Sequence, residues 1–475
     1  MFFNSVEFLI FFPIVCLLYY ILPHRFRHIL LLVSGLLFVA YNEPSAVVFL
    51  LLTTLITWSL GLCLKQARDK EQNGRIYLVI GLLAIFGILT YLKYVPYILS
   101  LFGKGSLEVI LPIGISFYTF QTATYLIDVY RGKCEPCRNI LKYAAFATFF
   151  PTILAGPIER ASNLIPQFDE VHTPDTARMK DGLKLMLWGY FLKMVIVSRL
   201  TILTELVYSD DSFSGLAVLI AVILYSFQIY CDFAGYSYIA IGCAKICGFR
   251  IMRNFRQPYL ADSVADFWRR WHISLSSWFK DYVYIPLGGN RKGRARKYLN
   301  VMIVFALSGI WHGANVTFLI WGLLNGAYQV IGGLIKGDKK GTVKEGTGAD
   351  AGRSGVWNKI GTFLLITVSW VFFRAGSLNE ALSVIARIFR GSYLTALTDG
   401  TIFNLGLGVL NLVFVIVAIA ILIVADIVCE KKNCDIDGLL VNVKWPVRLI
   451  VYWIIVTMIL FSCNLSTQEF LYMSF

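Results

Sequence analysis

An all-α, polytopic integral membrane protein is the fold class this sequence predicts, on three observations. Of its 475 residues 57% are hydrophobic and 15% charged, with a mean hydropathy of +0.67, a balance typical of chains whose surface faces lipid. Apolar runs near the length of a bilayer span recur along the chain, divided by short stretches that carry the Lys and Arg. The net charge of +14 is thereby spread over connecting loops. That dispersal fits loops meeting anionic lipid and speaks against nucleic acid, since no basic stripe interleaved with aromatics stands outside the apolar runs.

The first run, Met1 to Leu22, lacks a basic leader and a small-residue cleavage site and carries Glu7, so it reads as a retained span. The basic knot His24-Arg25-Phe26-Arg27-His28 follows, then apolar runs 29–41 and 45–64, then Lys65, Arg68, Lys70 and Arg75. Two passes between two basic loops place both loops on one side, and the positive-inside bias makes that side the cytoplasm, with Met1 outside. Runs 76–94 and 109–130 return the chain to Arg131, Lys133, Arg138 and Lys142 on the same side. After Ala155-Gly156-Pro157-Ile158-Glu159-Arg160 the polar stretch to about Lys180, with Pro166, His172 and Pro174, reads as a solvated or interfacial loop without a packed core. Further spans are read at 183–197, 216–231, 236–247, 360–373, 403–427 and 445–463, which brings the count to roughly eleven membrane segments. Several are short or interrupted by Gly and Pro, which predicts re-entrant helices around an aqueous cavity. The whole chain, 1–475, is read as one membrane-embedded domain, and residues 337–359, rich in Gly, Lys, Asp, Thr and Ser, as a flexible linker within it.

The chemistry concentrates between Asp262 and Gly313. Phe267, Trp271, Leu275, Trp278 and Tyr282 recur at steps of three and four, predicting one amphipathic interfacial helix with Arg269, Arg270, Lys280 and Asp281 on its wet side. His272 falls off that stripe, beside Trp268, Ser276 and Phe279. His312 interrupts the apolar stretch from Tyr298 to Ile335, where an ionisable group is costly unless it pairs, faces water or performs chemistry. From the residues alone both histidines also read as structural, and the Trp and Phe around them as packing and interface anchors.

What is missing narrows the reaction. There is no G-x-x-x-x-G-K-[ST] phosphate loop and no G-x-S-x-G elbow. Cys134 and Cys137 have C-x-x-C spacing without the second pair a zinc site needs, so no metal is expected; the other cysteines read as small apolar side chains. Imidazole remains. A neutral imidazole takes a proton from a hydroxyl near neutral pH, which is the base that acyl transfer from a thioester to an alcohol requires, beside an oxyanion donor and a dry site.

Phe267-Trp-Arg-Arg-Trp-His-Ile-Ser-Leu-Ser276, Trp278-Phe-Lys-Asp-Tyr282 and Tyr284-Ile-Pro-Leu-Gly-Gly-Asn-Arg291 resemble the signature of bacterial membrane-bound O-acyltransferases, in the branch of alginate O-acetyltransferase and the peptidoglycan and polysaccharide acetylation proteins. Gly309-Ile-Trp-His-Gly313 is similar to the segment that holds that family's catalytic histidine, and 1–9 and 111–121 are similar too. The resemblance implies a central tunnel, His312 as the catalytic base, His272 as the second catalytic histidine, and Trp271, Ser274, Trp311, Asn290 and Arg291 around the active site. It implies acetyl-CoA from the cytoplasm as co-substrate, no tightly bound cofactor, a polysaccharide acceptor, and a separate extracytoplasmic acetyltransferase or acceptor-binding protein, all in the bacterial plasma membrane. The terminal Phe470-Leu-Tyr-Met-Ser-Phe475 resembles an aromatic motif of acyl-export systems, with Tyr472 the candidate acyl relay; an interfacial anchor explains it equally. A D-alanyl transferase for teichoic acid and, from another class, a non-catalytic exporter of a polysaccharide or acyl carrier are the alternatives.

Overall fold

The computed structural model describes residues 1–102, 111–336, 355–391, 393 and 398–463. Tyr472 and most of the 337–359 stretch lie outside them; the end of that stretch, from Val356, is the first turn of a helix and not linker. Among the described residues every regular element is a helix. Eight helices among the described residues are long and apolar enough to cross a membrane, and Val6–Ile21 is a shorter apolar one, so the test of length and composition does not reach the expected eleven segments there. The chain folds into two compact units.

The first unit comprises Met1–Met194, Asp232–Arg253 and the chain from Ile436. Helix α1 (Val6–Ile21) starts where Ser5 accepts the amide of Phe8 at 3.3 Å. Helices α2 (His24–Ala40) and α3 (Pro44–Asp69) each begin beside a proline, which suits a first turn whose amides lack partners anyway. Helix α4 (Arg75–Leu101) and α5 (Ile115–Tyr130) pack on α3, and a Cβ at Gly61 of α3 would come within 2.4 Å of the Tyr125 ring. Three short helices follow: α6 (Ile140–Ala147), α7 (Phe150–Ile153) and α8 (Ala161–Gln167).

The stretch expected to be a solvated loop is mostly exposed, yet it forms the short helix α8 and the first turn of the next helix, and Leu164, Gln167, Phe168 and His172 within it are buried. Just ahead of it Glu159 is fully buried, its carboxylate accepting from the Met252 amide and, at 2.8 Å, from Asn163 Nδ2, while burial raises its pKa. Gln167 accepts from the Arg250 amide at 2.7 Å, and buried His172 shares a 2.8 Å hydrogen bond with the Tyr19 hydroxyl. The few polar groups buried there are tolerated because they pair internally.

Helix α9 (Thr176–Tyr190) is capped by Asp175, loosens into a π-helical segment at Phe191–Val197, and continues as α10 (Ser198–Ser209). Opposite it runs α11 (Leu216–Cys247), one 32-residue helix where two spans, 216–231 and 236–247, were expected. Gly235, in the gap between those two runs, marks close approach. A Cβ there would lie 2.8 Å from the Gly189 carbonyl oxygen, and one at Gly242 would lie 2.6 Å from that of Gly182, so two glycines a heptad apart on each helix let the backbones touch. Beside this seam the π-helical segment presents Lys193 to Asp232; the two form an ion pair with side chains 3% and 1% exposed.

The second unit comprises Val195–Cys231 and Asn254–Asp435. The predicted single amphipathic helix is two helices, α12 (Val264–Arg270) and α13 (Ile273–Phe279), followed by a π-helical turn at Lys280–Tyr284. Its stripe of Phe267, Trp271, Leu275 and Trp278 is buried in protein, not at a surface. Helices α14 (Arg294–His312) and α15 (Val316–Lys336) form an antiparallel hairpin, joined on α15's other side by α16 (Val356–Arg374) and then α17 (Leu378–Ile388). Helix α18 (Gly408–Lys432) completes this unit, and α19 (Trp445–Ser462) belongs to the first.

Candidate active site

His272 sits at the break between α12 and α13. Its backbone is left-handed (φ 43°, ψ 53°), an unusual conformation for a residue with a Cβ, and its side chain is 1% exposed. Surrounding hydrogen bonds hold this turn. The carbonyl of Asn254 accepts the Ile273 amide at 2.9 Å, Asn254 Oδ1 accepts the Ser274 hydroxyl at 2.6 Å, and the Arg270 carbonyl accepts the Arg256 amide at 2.9 Å. From the other side Arg270, expected on the wet face, is instead 16% exposed and bonded to Asp266 at 2.9 Å and to Glu430 of α18 at 2.8 Å. Burial of His272, which lies between the spans, pushes its imidazole pKa down to about 3, so it is neutral at ordinary pH.

His312 is the last residue of α14 and is 5% exposed. The glycines that flank it explain the sequence there. A Cβ at Gly309 would lie 2.3 Å from the Phe318 carbonyl oxygen, and one at Gly313 would lie 2.1 Å from the Phe318 ring. Across the hairpin, a Cβ at Gly322 would lie 2.3 Å from the Phe305 carbonyl oxygen. Close contact of α14 with α15 thus sets where the imidazole stands. Its ring centroid is 5.0 Å from Trp321 and 5.1 Å from Phe373, both edge-on.

The two histidines share a neighbour. The Trp311 ring lies 6.2 Å from His272 and 4.6 Å from His312, which caps the imidazole separation at about 11 Å. Trp271 closes the set: it stacks on Phe267 at 5.4 Å and meets Trp370 at 5.0 Å, and Trp370 stacks on Trp321 at 5.8 Å. Trp268 donates to Asn325 Oδ1 at 3.1 Å, and Asn325 Nδ2 donates back to the Trp321 carbonyl at 2.9 Å. An aromatic wall tied down by hydrogen bonds therefore carries both imidazoles.

His272, His312, Trp271, Ser274 and Trp311 are thus brought together, with Ser274 turned to Asn254. Asn290 and Arg291 are not. They lie exposed on the turn before α14, at the opposite end of that helix from His312. That turn needs Gly288 (φ 103°) and Gly289 (φ 55°), and Asn300 Nδ2 fixes it by donating to the Gly289 carbonyl at 2.9 Å. Sequence reasoning missed Asn254, Trp321, Trp370 and Phe373, and the Arg270–Glu430 link. Only Asn254 carried a signal, as a polar residue in the Asn254-Phe-Arg-Gln-Pro258 stretch just ahead of the histidine segment.

Buried imidazole in a dry aromatic wall can move a proton or donate to an oxyanion. Among the described residues no group of three His, Cys, Asp or Glu side chains is placed to hold a metal ion.

The sequence matches known proteins over most of its length. A family model described as MBOAT, membrane-bound O-acyltransferase family, matches residues 137–373. A probable alginate O-acetylase of Pseudomonas putida is 36% identical over 82% of this chain and 80% of its own length. A peptidoglycan O-acetyltransferase of Helicobacter pylori is 32% identical over 81% of this chain and 79% of its own. A teichoic acid D-alanyltransferase of Bacillus subtilis is 28% identical over 44% of this chain and 56% of its own.

Proposed function

Because the chain belongs to the membrane-bound O-acyltransferase family, we propose that this multi-pass membrane O-acetyltransferase takes its acetyl group from cytoplasmic acetyl-CoA and passes it across the membrane to O-acetylate an extracytoplasmic polysaccharide. The observation that carries the reading is that His272 and His312, both buried, each lie against the Trp311 indole in the segment the family model matches.

In this reading His312 removes the proton from a hydroxyl as its oxygen attacks the thioester carbonyl carbon. The tetrahedral intermediate collapses by breaking the carbon–sulfur bond, and the proton held on His312 passes to the leaving thiolate. The imidazolium formed in between sits at the carbonyl end of α14, where the helix dipole favours positive charge. Neutral His272 donates a hydrogen bond to the developing oxyanion, and the aromatic wall keeps water from the thioester. Tyr472 serves as relay, its phenolic ester leaving readily in the next transfer, and a separate extracytoplasmic protein completes delivery to the glycan.

Release of CoA from radiolabelled acetyl-CoA by the purified chain in lipid, with label traced into the protein, tests this reading. Wild type should release CoA and carry label, and His312→Ala should do neither while keeping its fold. Retention of both by His312→Ala would overturn the role of that histidine. Turnover of a D-alanyl carrier in place of acetyl-CoA would reassign the donor.

A further inference from the structure

The first unit holds an apolar cleft of about 690 Å³ between α1, α9 and the end of α11, lined among others by Phe12, Leu17, Tyr20, Met179, Leu187 and Ile246. Its volume lies in the range that takes a bound small molecule, roughly 300–1,000 Å³. The walls belong to apolar helices, so hydrocarbon is the chemistry that fills them.

Hydrocarbon alone gives no preference within a bilayer, because a lipid tail is as well solvated by other tails as by leucines. Preference must come from the rim, and the rim is cationic. Arg178, in the first turn of α9, donates to the Tyr20 hydroxyl at 3.1 Å and to the Thr173 carbonyl at 2.6 Å, and Tyr20 lines the cleft. Its Nε is buried and has no hydrogen-bond partner among the described residues. Of the nearby acids, Asp175 caps α9 through the amides of Ala177 and Arg178, and Glu170 pairs with Arg250. Just beyond the end of α1, Arg25 is exposed and Arg27 donates to the His172 carbonyl at 2.6 Å. These arginines belong to the basic knot that the sequence places on the cytoplasmic side, and the acyl-transfer reading leaves them unused.

We propose that this cleft is a binding site for an anionic phospholipid of the cytoplasmic leaflet, with one acyl chain along α1 and α9 and the phosphate at Arg178. Basic pockets between membrane helices on the cytoplasmic side are suited to such headgroups.

The test uses the full chain, washed in mild detergent, reconstituted with equal phosphatidylglycerol and phosphatidylcholine, re-extracted, and assayed for retained lipid by mass spectrometry. One added cationic contact predicts about fivefold enrichment of phosphatidylglycerol on wild type. Arg178→Gln should bring the ratio to about one, and Leu17→Trp, which fills the cleft from a lipid-facing position 61% exposed, should lower retention of both lipids. Equal retention of the two lipids by wild type, enrichment that survives Arg178→Gln, or undiminished retention in Leu17→Trp would each overturn the proposal. Monodisperse elution of each variant shows that it is folded, and the readout needs no acyltransferase activity.

Discussion

Gly309→Ala is the substitution whose cost follows most directly from the geometry. Gly309 lies one turn before His312 on α14, and an added Cβ would meet the Phe318 carbonyl oxygen at 2.3 Å. Ordinary contact begins near 3.4 Å, so the hairpin must open by about 1 Å. The obstructing atom is backbone on α15, the helix that also carries Trp321 against the His312 ring, so no side chain can rotate away. Overpacking of this kind costs about 1–3 kcal/mol of stability. A 1 Å displacement of a reacting group costs on the order of 100-fold in rate. Gly332 on α15 is the control, because nothing lies within 4 Å of the Cβ it would gain. CoA release and thermal unfolding in the same lipid should show Gly309→Ala slowed by about two orders of magnitude and less stable, with Gly332→Ala unchanged or slightly more stable. Wild-type turnover in Gly309→Ala, or equal damage from Gly332→Ala, would refute the argument that this contact positions the imidazole.

Three further outcomes are expected. Asn254→Ala removes the acceptor of the buried Ser274 hydroxyl and should cost about 1–3 kcal/mol, with a lower kcat because the His272 turn loosens; unchanged melting and kcat would show the clasp to be idle. Asp232→Ala removes the carboxylate paired with the buried Lys193 charge, an effect of about 3–5 kcal/mol, whereas Lys193→Met with Asp232→Leu should recover most of it; a double variant no more stable than the single one would contradict this. Burial lowers the His272 pKa from 6.5 to about 3, so its contribution is fully present above 6.5 and is lost as pH falls toward 3. Between pH 7 and pH 5 wild type should lose more melting temperature than His272→Gln, and parallel losses would remove the basis for a neutral, buried imidazole.

The sequence by itself determined the class of the molecule and most of its helices. Hydropathy alone locates a span, because a bilayer demands a run of apolar residues whatever its neighbours do. The runs at 45–64, 76–94, 360–373 and 445–463 accordingly reappear as α3, α4, α16 and α19. His272 and His312 also stood out in the sequence, since an imidazole among Trp and Phe is legible without coordinates. What only the tertiary structure decided is everything that depends on who lies opposite. The runs 216–231 and 236–247 read as two spans until Gly189 is found facing Gly235 within one helix, and Arg270 reads as solvated until Glu430 is found beside it. The periodicity of Phe267, Trp271, Leu275 and Trp278 describes one continuous helix, yet the chain breaks at His272, because Asn254, 18 residues upstream in sequence, takes the Ile273 amide and the Ser274 hydroxyl. Helical periodicity is a local property. The left-handed turn that presents His272 to the Trp311 indole is held by contacts that no local window of sequence contains.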